Sequence, residues 1–493
     1  MATATPSLAT GETLPAPHLS EDWLAVIIGL LIYCAALLNI QGWDLLGWAV
    51  TTSVWNDPSK ALGTVSKAYS GLGGPAALIA TYVFLTAVFA VAAALLKANV
   101  VRFVMAFSVL FWLAYACWFT GSYAMIAAVT PADQAKFGIP WSLKLTNEAG
   151  FLVALVTGMG IANFVPRLAD WLKEAARPEL YIKIALVILG AFFATTAAGK
   201  LNLASSLLLR GVAAIIEAYL IYWAVVYYIS RKWFGFSREW SVPLASGISI
   251  CGVAAAIATG GAIRARPQVA IFVSSLVVVF AVVEILILPF LAETFLWREP
   301  LVAAAWMGLA VKTDGAAIAA GGMTEALIMA KAAAEGIKYQ PGWIVGTTAT
   351  VKVFIDIFIG IWAFILGTIW TNYIDERPAG ERARVWEIWQ RFPKFILGYI
   401  LTFALSLGIA LNAAPDTVAK LTQGVGEANV FRVIFFLLTF FSIGLLSNFR
   451  TLWQQGIGKL AAVYFVSLFG FVIWVGLLIS WIFFSGIKPP LAG

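Results

Sequence analysis

Apolar runs long enough to cross a lipid bilayer follow one another along almost the whole chain. A membrane-spanning helix needs about 20 predominantly apolar residues, with about 17 as the lower bound. Such runs lie at 23–40, 75–96, 103–128, 149–165, 181–198, 206–229, 268–291, 343–370, 395–413, 429–448 and 459–484. Only 12% of the residues are charged, which is about half of the share in a soluble domain. The sequence therefore predicts an all-α polytopic membrane protein.

Two further segments, 243–263 and 301–330, are apolar but interrupted by glycine, threonine and charged residues. If each of them crosses once, the chain has about 12–13 transmembrane helices. The residues before the first run, 1–22, are expected to be a disordered tail. We divide the remainder into additional N-terminal helices at 23–145 and a transporter core at 146–486.

Three basic loops set the predicted orientation. Segments 167–183, 231–239 and 376–394 hold four, three and five lysines and arginines, and all fall on one side if each interrupted segment crosses once. The positive-inside rule places that side in the cytoplasm, together with the N-terminus. The first and third of these loops are also expected to include helices that lie at the membrane interface.

Several classes of protein are excluded by what the chain lacks. Its one histidine, His18, lies in the polar tail, and Cys34, Cys117 and Cys251 are far apart in apolar segments. No metal spacing or disulfide framework results, and a Ser-His-Asp site within the membrane is ruled out. We therefore expect no enzyme, cofactor or metal. The net charge of +7 follows from the loops, and no basic patch for nucleic acid is present.

The two interrupted segments contain the same phrase. "AAAIATGGAIRA" (254–265) and "GAAIAAGGMTEA" (315–326) agree at seven of twelve positions, including both glycine pairs. One interpretation is close helix packing through small residues. The other is a pair of helix breaks, as in secondary transporters built from inverted repeats. Polar and ionisable neighbours of both phrases favour the breaks, with Gly260 and Gly321 marking them.

Helix breaks of this kind leave free N–H groups and a partial positive charge near the bilayer midplane, which suits an anion. A cationic side chain should assist, and Lys312 and Lys352 are preferred over Arg264, which we expect at the membrane edge. The predicted substrate-binding residues are Ser249, Cys251, Gly252, Thr259, Gly260, Gly261, Lys312, Thr313, Asp314, Gly315, Gly321, Gly322 and Lys352.

Carboxylates within the apolar segments form the second candidate group. An ionisable residue inside a span is costly and marks an ion or proton path by default. Lys352 and Asp356 are four residues apart, which places them on one helix face. The predicted coupling-ion or proton residues are Asp314, Glu325, Asp356, Glu217 and Glu284. The alternatives are a snorkelling lysine and protonated carboxyl groups bonded to neighbouring helices.

The phrases "SGISICGVAAAIATGGAI", "TDGAAIAAGG", "TTATVKVFIDI" and "FFSIGLLSNFRTL" resemble the YeiH-like sulfate exporter family of bacterial membrane proteins. The resemblance covers about 149–484. It implies an anion transporter, similar in outline to carriers of the bile-acid and sodium-proton antiporter type, with inverted repeats and crossed broken helices. This chain departs from the family at the second phrase and at Asp356, where asparagine is usual, so substrate and coupling ion stay open.

Three functions are compatible with these observations. The first is a secondary transporter of a small inorganic anion, with sulfate or a related oxyanion as the expected substrate. The second is a carrier of an organic acid coupled to sodium ions or protons. The third is an anion channel or membrane sensor. The expected partners are the small anion, the lipid bilayer and a coupling ion, H⁺ or Na⁺, and a homo-oligomer is left open.

Overall fold

The computed structural model describes residues 20–128, 131–143, 149–198, 201–252, 254–374, 386, 389, 393–448 and 458–492. Nearly all regular structure is helical. The helices are α1 (Glu21–Leu37), α2 (Gly74–Leu95), α3 (Val100–Gly121), α4 (Ala124–Ala127), α5 (Pro131–Phe137), α6 (Ala149–Phe164), α7 (Pro166–Leu172), α8 (Pro178–Ala198), α9 (Leu201–Gly211), α10 (Ala213–Ile216), α11 (Trp223–Tyr228), α12 (Arg238–Ser249), α13 (Ala254–Ala262), α14 (Pro267–Leu296), α15 (Pro300–Ala310), α16 (Asp314–Ala334), α17 (Trp343–Ile357), α18 (Ile359–Ile369), α19 (Phe395–Asn412), α20 (Pro415–Leu446), α21 (Gly458–Ser467) and α22 (Ile473–Phe484).

Eleven helical stretches of the described residues are long and apolar enough to cross a membrane, or up to twelve if the bent pair α6 and α7 counts as one span. Several stretches are composite, since short π-helical turns join α10 to α11 and α21 to α22. The prediction of an all-α polytopic membrane protein is confirmed, and the eleven or up to twelve stretches compare with the 12–13 helices expected. The described part of the chain holds one small sheet, an antiparallel pair of β1 (Val50–Thr52) and β2 (Leu62–Thr64).

The first interrupted segment folds back on itself instead of crossing the bilayer. Helices α12 and α13 have 12 and 9 residues, about 18 and 14 Å, and a hydrocarbon core is about 30 Å thick. The two helices pack against each other. Just after α13, the guanidinium of Arg266 donates to the carboxylate of Glu239 at the start of α12 (Nε–Oε1 3.0 Å). Both ends therefore lie on one side, and residues 250–252 form the tip of this first hairpin.

The second interrupted segment also returns to the side on which it begins. Helix α15 has 11 residues, and it packs against α16. Near the end of α16, the ammonium of Lys331 lies 2.8 Å from the carboxylate of Glu293, which precedes α15. The chain on either side of the segment also contacts residues 486–490. The segment is therefore a second hairpin, with its tip at residues 311–313.

The two hairpins enter from opposite sides, because the 30-residue helix α14 crosses between them. The prediction that each interrupted segment crosses once was wrong. Each segment breaks near its middle, which leaves α12, α13 and α15 too short to span. Small residues such as Gly247, whose Cβ would lie 2.9 Å from Val273 of α14, let the arms pack closely within the bundle.

The described ends of the three basic loops lie on the same side of the molecule, as predicted. The guanidinium of Arg177 and the backbone N–H of Lys394 both bind side chains at the start of α1. The ammonium of Lys459, at the start of α21, lies 5.0 Å from the ring centroid of Phe236. The end of α20 is tied to the end of α6, next to the first loop. We call this the basic side; the first hairpin enters from it.

The repeated glycine pairs do not mark the helix breaks, so that prediction was wrong. Gly260 and Gly261 lie inside α13, and Gly321 and Gly322 lie inside α16. The breaks come before the repeated phrases, at the two tips. Gly321 instead permits close packing, since a Cβ there would lie 2.6 Å from the Oγ1 of Thr348 on α17. Close packing was the alternative interpretation of the repeat.

The N-terminal part of the chain is packed against the core helices. Helix α1 contacts α8, α19 and α20. Of the predicted tail, residues 1–19 lie outside the described residues, and α1 begins at Glu21. Helix α7 turns by 118° from α6, which agrees with an interfacial helix in the first basic loop. Most of 376–394 lies outside the described residues.

Candidate functional site

The tips of the two hairpins touch each other inside the protein. The backbone N–H of Gly252 donates to the carbonyl of Lys312 (2.5 Å). The thiol of Cys251 donates to the carboxylate of Asp314 at the start of α16 (3.1 Å). Glycine is required at the first tip, since a Cβ on Gly252 would lie 2.0 Å from a methyl group of Val277. Two backbone breaks thus meet against α14, surrounded by buried groups.

Lys352 of α17 binds the first tip and two carboxylates. Its ammonium donates to the carbonyl of Ile250 (2.7 Å) and lies 3.7 Å from Asp314 and 3.9 Å from Asp356. All three charged side chains are at most 2% exposed. The predicted pairing of Lys352 and Asp356 on one helix face is confirmed. We call Cys251, Asp314, Lys352 and Asp356 the Lys352 cluster.

The Lys352 cluster resembles a small cation site in which the ammonium group of Lys352 takes the place of the cation. Ligand-type atoms of Cys251, Asp314 and Asp356 lie within 4.8 Å of one another. Neither oxygen of Asp356 has a hydrogen-bond partner among the described residues. One ammonium therefore faces two carboxyl groups in a buried environment, where an unbalanced charge is expensive.

A second cluster of buried groups surrounds Lys312 at the second tip. The backbone N–H of Lys312 donates to Glu284 of α14 (3.3 Å), and its ammonium donates to the carbonyl of Leu309. The ammonium also lies 4.4 Å from the ring centroid of Tyr222, a cation–π contact. Glu217 begins the π-helical turn that contains Tyr222.

Glu217 and Glu284 are incompletely bonded although they are buried. Both oxygens of Glu217 and one oxygen of Glu284 lack a hydrogen-bond partner within the described part of the chain. Their residues are 0% and 1% exposed. π-Helical turns recur at functional sites. We call Glu217, Tyr222, Glu284 and Lys312 the Lys312 cluster.

The N-terminus of α16 is already occupied by groups of this chain. The hydroxyl of Thr313 accepts the N–H of Ala316 (3.1 Å) and caps the helix, and Asp314 places a carboxylate in its first turn. Gly315 follows and packs beside Ile182 of α8 (3.7 Å from an added Cβ). An anion that enters here must displace or rearrange the Asp314 carboxylate, because both would use the same helix terminus.

The predicted substrate residues divide into two groups. Those at the tips are brought together; they are Ser249, Cys251, Gly252, Lys312, Thr313, Asp314, Gly315 and, from α17, Lys352. Those of the repeated phrase lie along the hairpin arms beyond the tips; they are Thr259, Gly260, Gly261, Gly321 and Gly322. The hydroxyl of Thr259, for example, donates to a carbonyl of its own helix. The repeat maps onto helix interiors, because it follows each break.

Glu325, predicted as a coupling residue, has the contacts of a helix cap. Its carboxylate accepts the backbone N–H groups of Gly342, Ile344 and Val345 at the start of α17 (2.9–3.1 Å). Free N–H groups at a helix N-terminus favour such an anion. Arg264, as expected, is exposed close to the basic-side end of the first hairpin.

Sequence reasoning missed three charged residues at the basic side of the site. The ammonium of Lys183 on α8 lies 2.8 Å from Asp22 of α1 and 3.7 Å from Glu179. Glu179 and Lys183 are spaced as i and i+4 at the start of an apolar run. That spacing was the signal available in the sequence.

Outside the membrane, two hydrogen bonds from Arg266, first from its side chain and then from its backbone, lower the pKa of Glu239 at the start of the first hairpin.

Comparisons with known proteins identify related membrane proteins. The family model described as Conserved hypothetical protein 698 matches residues 142–463. A UPF0324 membrane protein of Nitrosomonas europaea is 38% identical, over 96% of this chain and 97% of its own. A UPF0324 membrane protein of Rhodopirellula baltica is 30% identical, over 80% of this chain and 64% of its own. An uncharacterized protein of Archaeoglobus fulgidus is 46% identical, over 34% of this chain and 97% of its own.

Proposed function

This chain belongs to the family described as Conserved hypothetical protein 698, and we propose that it is a secondary transporter of small anions. The observation that carries the proposal is the meeting of two oppositely inserted hairpins at buried charges. Both tips rest on α14, at Val277 and at Glu284, in the middle part of that long crossing helix. Broken helices that meet near the midplane are a recurrent architecture for alternating access.

The two buried lysines are the proposed anion ligands. Lys312 and Lys352 lie on or against the tips, and both ammonium groups donate to main-chain carbonyls that a bound anion can replace. Sulfate or a related oxyanion is the substrate class that the family resemblance suggests. We place the basic side in the cytoplasm of a bacterial inner membrane. Outward movement of a dianion then gains roughly 4.6 kcal/mol per 100 mV.

Coupling to a cation is the second part of the proposal. Two lysines share the site with four carboxyl groups, those of Glu217, Glu284, Asp314 and Asp356. A buried excess of carboxylates is stabilised when protons or sodium ions join it. The same excess favours a second candidate function, a proton- or sodium-coupled carrier of an organic acid. The two candidates differ in substrate and share the site.

Transport by the purified protein in proteoliposomes tests the proposal. We expect saturable uptake and counterflow for at least one member of a panel of sulfate, sulfite, bicarbonate, small sulfonates and small carboxylates. Net flux should respond to an imposed proton or sodium gradient. Lys352→Met should abolish counterflow. Lys331→Met, on the partly exposed pair with Glu293, should retain it and is the matched control.

Two results would overturn the proposal. Absence of counterflow for every anion, in protein that is folded and correctly inserted, would remove the transporter assignment. Non-saturating anion conductance in planar bilayers would instead indicate a channel. A response confined to carboxylates would select the organic-acid carrier over the oxyanion transporter.

A further inference from the structure

The path from the basic side to the Lys352 cluster is short along helix α8. Ile182, in the second turn of α8, packs against Gly315 just beyond the second tip. Glu179 lies three residues before Ile182, so the two are neighbours on the helix surface, and Lys183 pairs with Glu179 from four residues further on. Along α14, by contrast, the contacts of the tips at Val277 and Glu284 lie about three turns from the nearer helix end. The start of α8 therefore brings charged side chains close to the site, which lies deeper within the membrane when measured along α14.

These side chains become less exposed towards the site. Glu179 is 30% exposed, Asp22 26% and Lys183 13%, whereas Asp314 and Asp356 of the Lys352 cluster are 2% and 0% exposed. Glu179 and Lys183 are close enough to Asp314 for their charges to interact with it. Ionisable groups thus extend from the basic-side surface towards the buried carboxylates.

The opposite approach to the Lys352 cluster is closed by tight packing. Between the cluster and the far side, Gly308 of α15 and Gly321 of α16 press against Thr348 and Val351 of α17, where added Cβ atoms would lie only 2.6–3.0 Å from side-chain atoms. The hydroxyl of Thr348 is used within this interface, since it donates to the carbonyl of Ala304. Among the described residues, the ionisable path therefore leads to the basic side.

We propose that Glu179, held beside Asp22 by Lys183, is the relay through which protons pass between the basic side and the Lys352 cluster. The proposal rests on the function proposed above and names its coupling ion. A hydronium ion at the basic side gives a proton to the Glu179 carboxylate and becomes water. The new O–H bond of Glu179 then breaks as an O–H bond forms on Asp314, and the Glu179 carboxylate is regenerated. Asp356 shares this cluster, and its fully buried carboxylate, which has no hydrogen-bond partner among the described residues, is the end of the path.

A proton fits these contacts better than a metal cation. The oxygens of Asp22 already accept the ammonium of Lys183 and the backbone N–H of Lys394, so they are not free to ligate an ion. The relay carries two carboxylates and one ammonium, and its net negative charge repels the anion substrate while it attracts protons. The groups that face Glu179 are Lys183 on its own helix, Asp22 on α1, Asp314 on α16 and Lys352 on α17.

Glu179→Gln tests the relay, with Glu174→Gln as the matched control. Glu174 lies on the same side and pairs with Arg102 at 3.9 Å. In proteoliposomes, we expect proton-driven anion accumulation by Glu179→Gln to fall at least about tenfold, while counterflow at equal pH on both sides stays within about twofold of wild type. A pH-sensitive dye inside the same vesicles should record the loss of proton movement. Glu174→Gln should behave like wild type in all three measurements.

The outcomes separate the relay from the proposed function. Wild-type protein without anion counterflow would remove the transporter proposal itself. Counterflow with sodium-driven but not proton-driven accumulation would overturn the relay alone. Full proton-driven accumulation by Glu179→Gln would also overturn it, as would equal loss of counterflow and accumulation in folded protein. If Glu179→Gln does not fold, Asp22→Asn provides the same comparison, with a smaller expected loss, because Lys183 then holds Glu179 alone.

Discussion

The ammonium of Lys352 lies 2.7 Å from the carbonyl oxygen of Ile250. This contact joins α17 to the tip of the first hairpin. The hairpin enters from the basic side, whereas α17 begins on the opposite side. The lysine also faces the carboxylates of Asp314 and Asp356. The side chain of Lys352 therefore binds the main chain of the first tip, balances charge in the cluster and supplies the proposed anion ligand.

Replacing Lys352 by methionine should destabilise the protein as well as stop transport. Methionine has a similar reach but no charge, so two buried carboxylates and a carbonyl lose their partner. Breaking a buried ion pair typically costs about 3–5 kcal/mol, and we expect a lower melting temperature in detergent. Anion counterflow should fall to background. The control Lys331→Met should change stability by at most about 1 kcal/mol, because its pair is partly exposed. Wild-type stability of Lys352→Met would contradict the charge-balancing role.

Glu325→Ala should lower stability with little effect on transport per folded molecule. The substitution leaves three backbone N–H groups at the start of α17 without their acceptor, at a cost of about 1–3 kcal/mol. Thermal unfolding in detergent and counterflow normalised to folded protein measure the two effects. Glu335→Ala is the control and should be neutral, because Glu335 is exposed at the C-terminal end of α16, the helix that carries Glu325.

Glu325→Gln distinguishes the cap from the coupling role that the sequence suggested. Glutamine keeps one carbonyl acceptor, so stability should fall by less than in Glu325→Ala. Proton-driven accumulation should persist. A Glu325→Gln protein with normal stability and no response to a proton gradient would restore Glu325 as a coupling residue.

Gly321 and Gly261, one glycine from each copy of the repeated phrase, should respond oppositely to alanine. At Gly321 a Cβ meets Thr348 at 2.6 Å, whereas at Gly261 no atom lies within 4 Å. Gly321→Ala should therefore cost about 1–3 kcal/mol by overpacking. Gly261→Ala should be neutral or stabilise α13 by roughly 0.5–1 kcal/mol, since alanine is the better helix former. Melting temperatures of the two variants check this, and equal effects would argue against close packing at Gly321.

Hydropathy and charge identified the membrane class and pointed to many residues of the candidate site, but they could not reveal the hairpins. A 21-residue apolar segment that crosses once and two short arms that return have the same composition. What separates them is a long-range contact such as that between Glu239 and Arg266, which no local pattern reports. The i, i+4 spacing of Lys352 and Asp356 was readable because a helix fixes it locally.

The proposed relay and the cap contacts of Glu325 could not be read from the sequence, for the same reason. Glu179 and Lys183 show only that a helix begins with an ion pair; their closeness to Asp314 depends on how α8 meets the second tip. Glu325 is an isolated carboxylate in an apolar segment, and its partners belong to the next helix. Tertiary packing decides between a cap and a coupling residue, so the sequence could only offer both.

Single-cysteine labelling tests the two-hairpin topology directly. In a background with Cys34→Ser, Cys117→Ala and Cys251→Ser, Glu239→Cys and Arg266→Cys should react with an impermeant maleimide from the same side of the membrane. Their side chains flank the first hairpin. Glu299→Cys and Lys338→Cys, which flank the second hairpin, should react only from the opposite side.

Reference positions make the labelling result unambiguous. Lys97, between α2 and α3, and Lys67, in the segment that joins α1 to α2, are exposed and lie on the basic and the opposite side. Lys97→Cys should therefore label with the Glu239 and Arg266 positions, and Lys67→Cys with Glu299 and Lys338. If Glu239→Cys and Arg266→Cys label from different sides, the first segment crosses once. The tips then cannot meet as proposed, because a hairpin requires both of its ends on the side from which it enters.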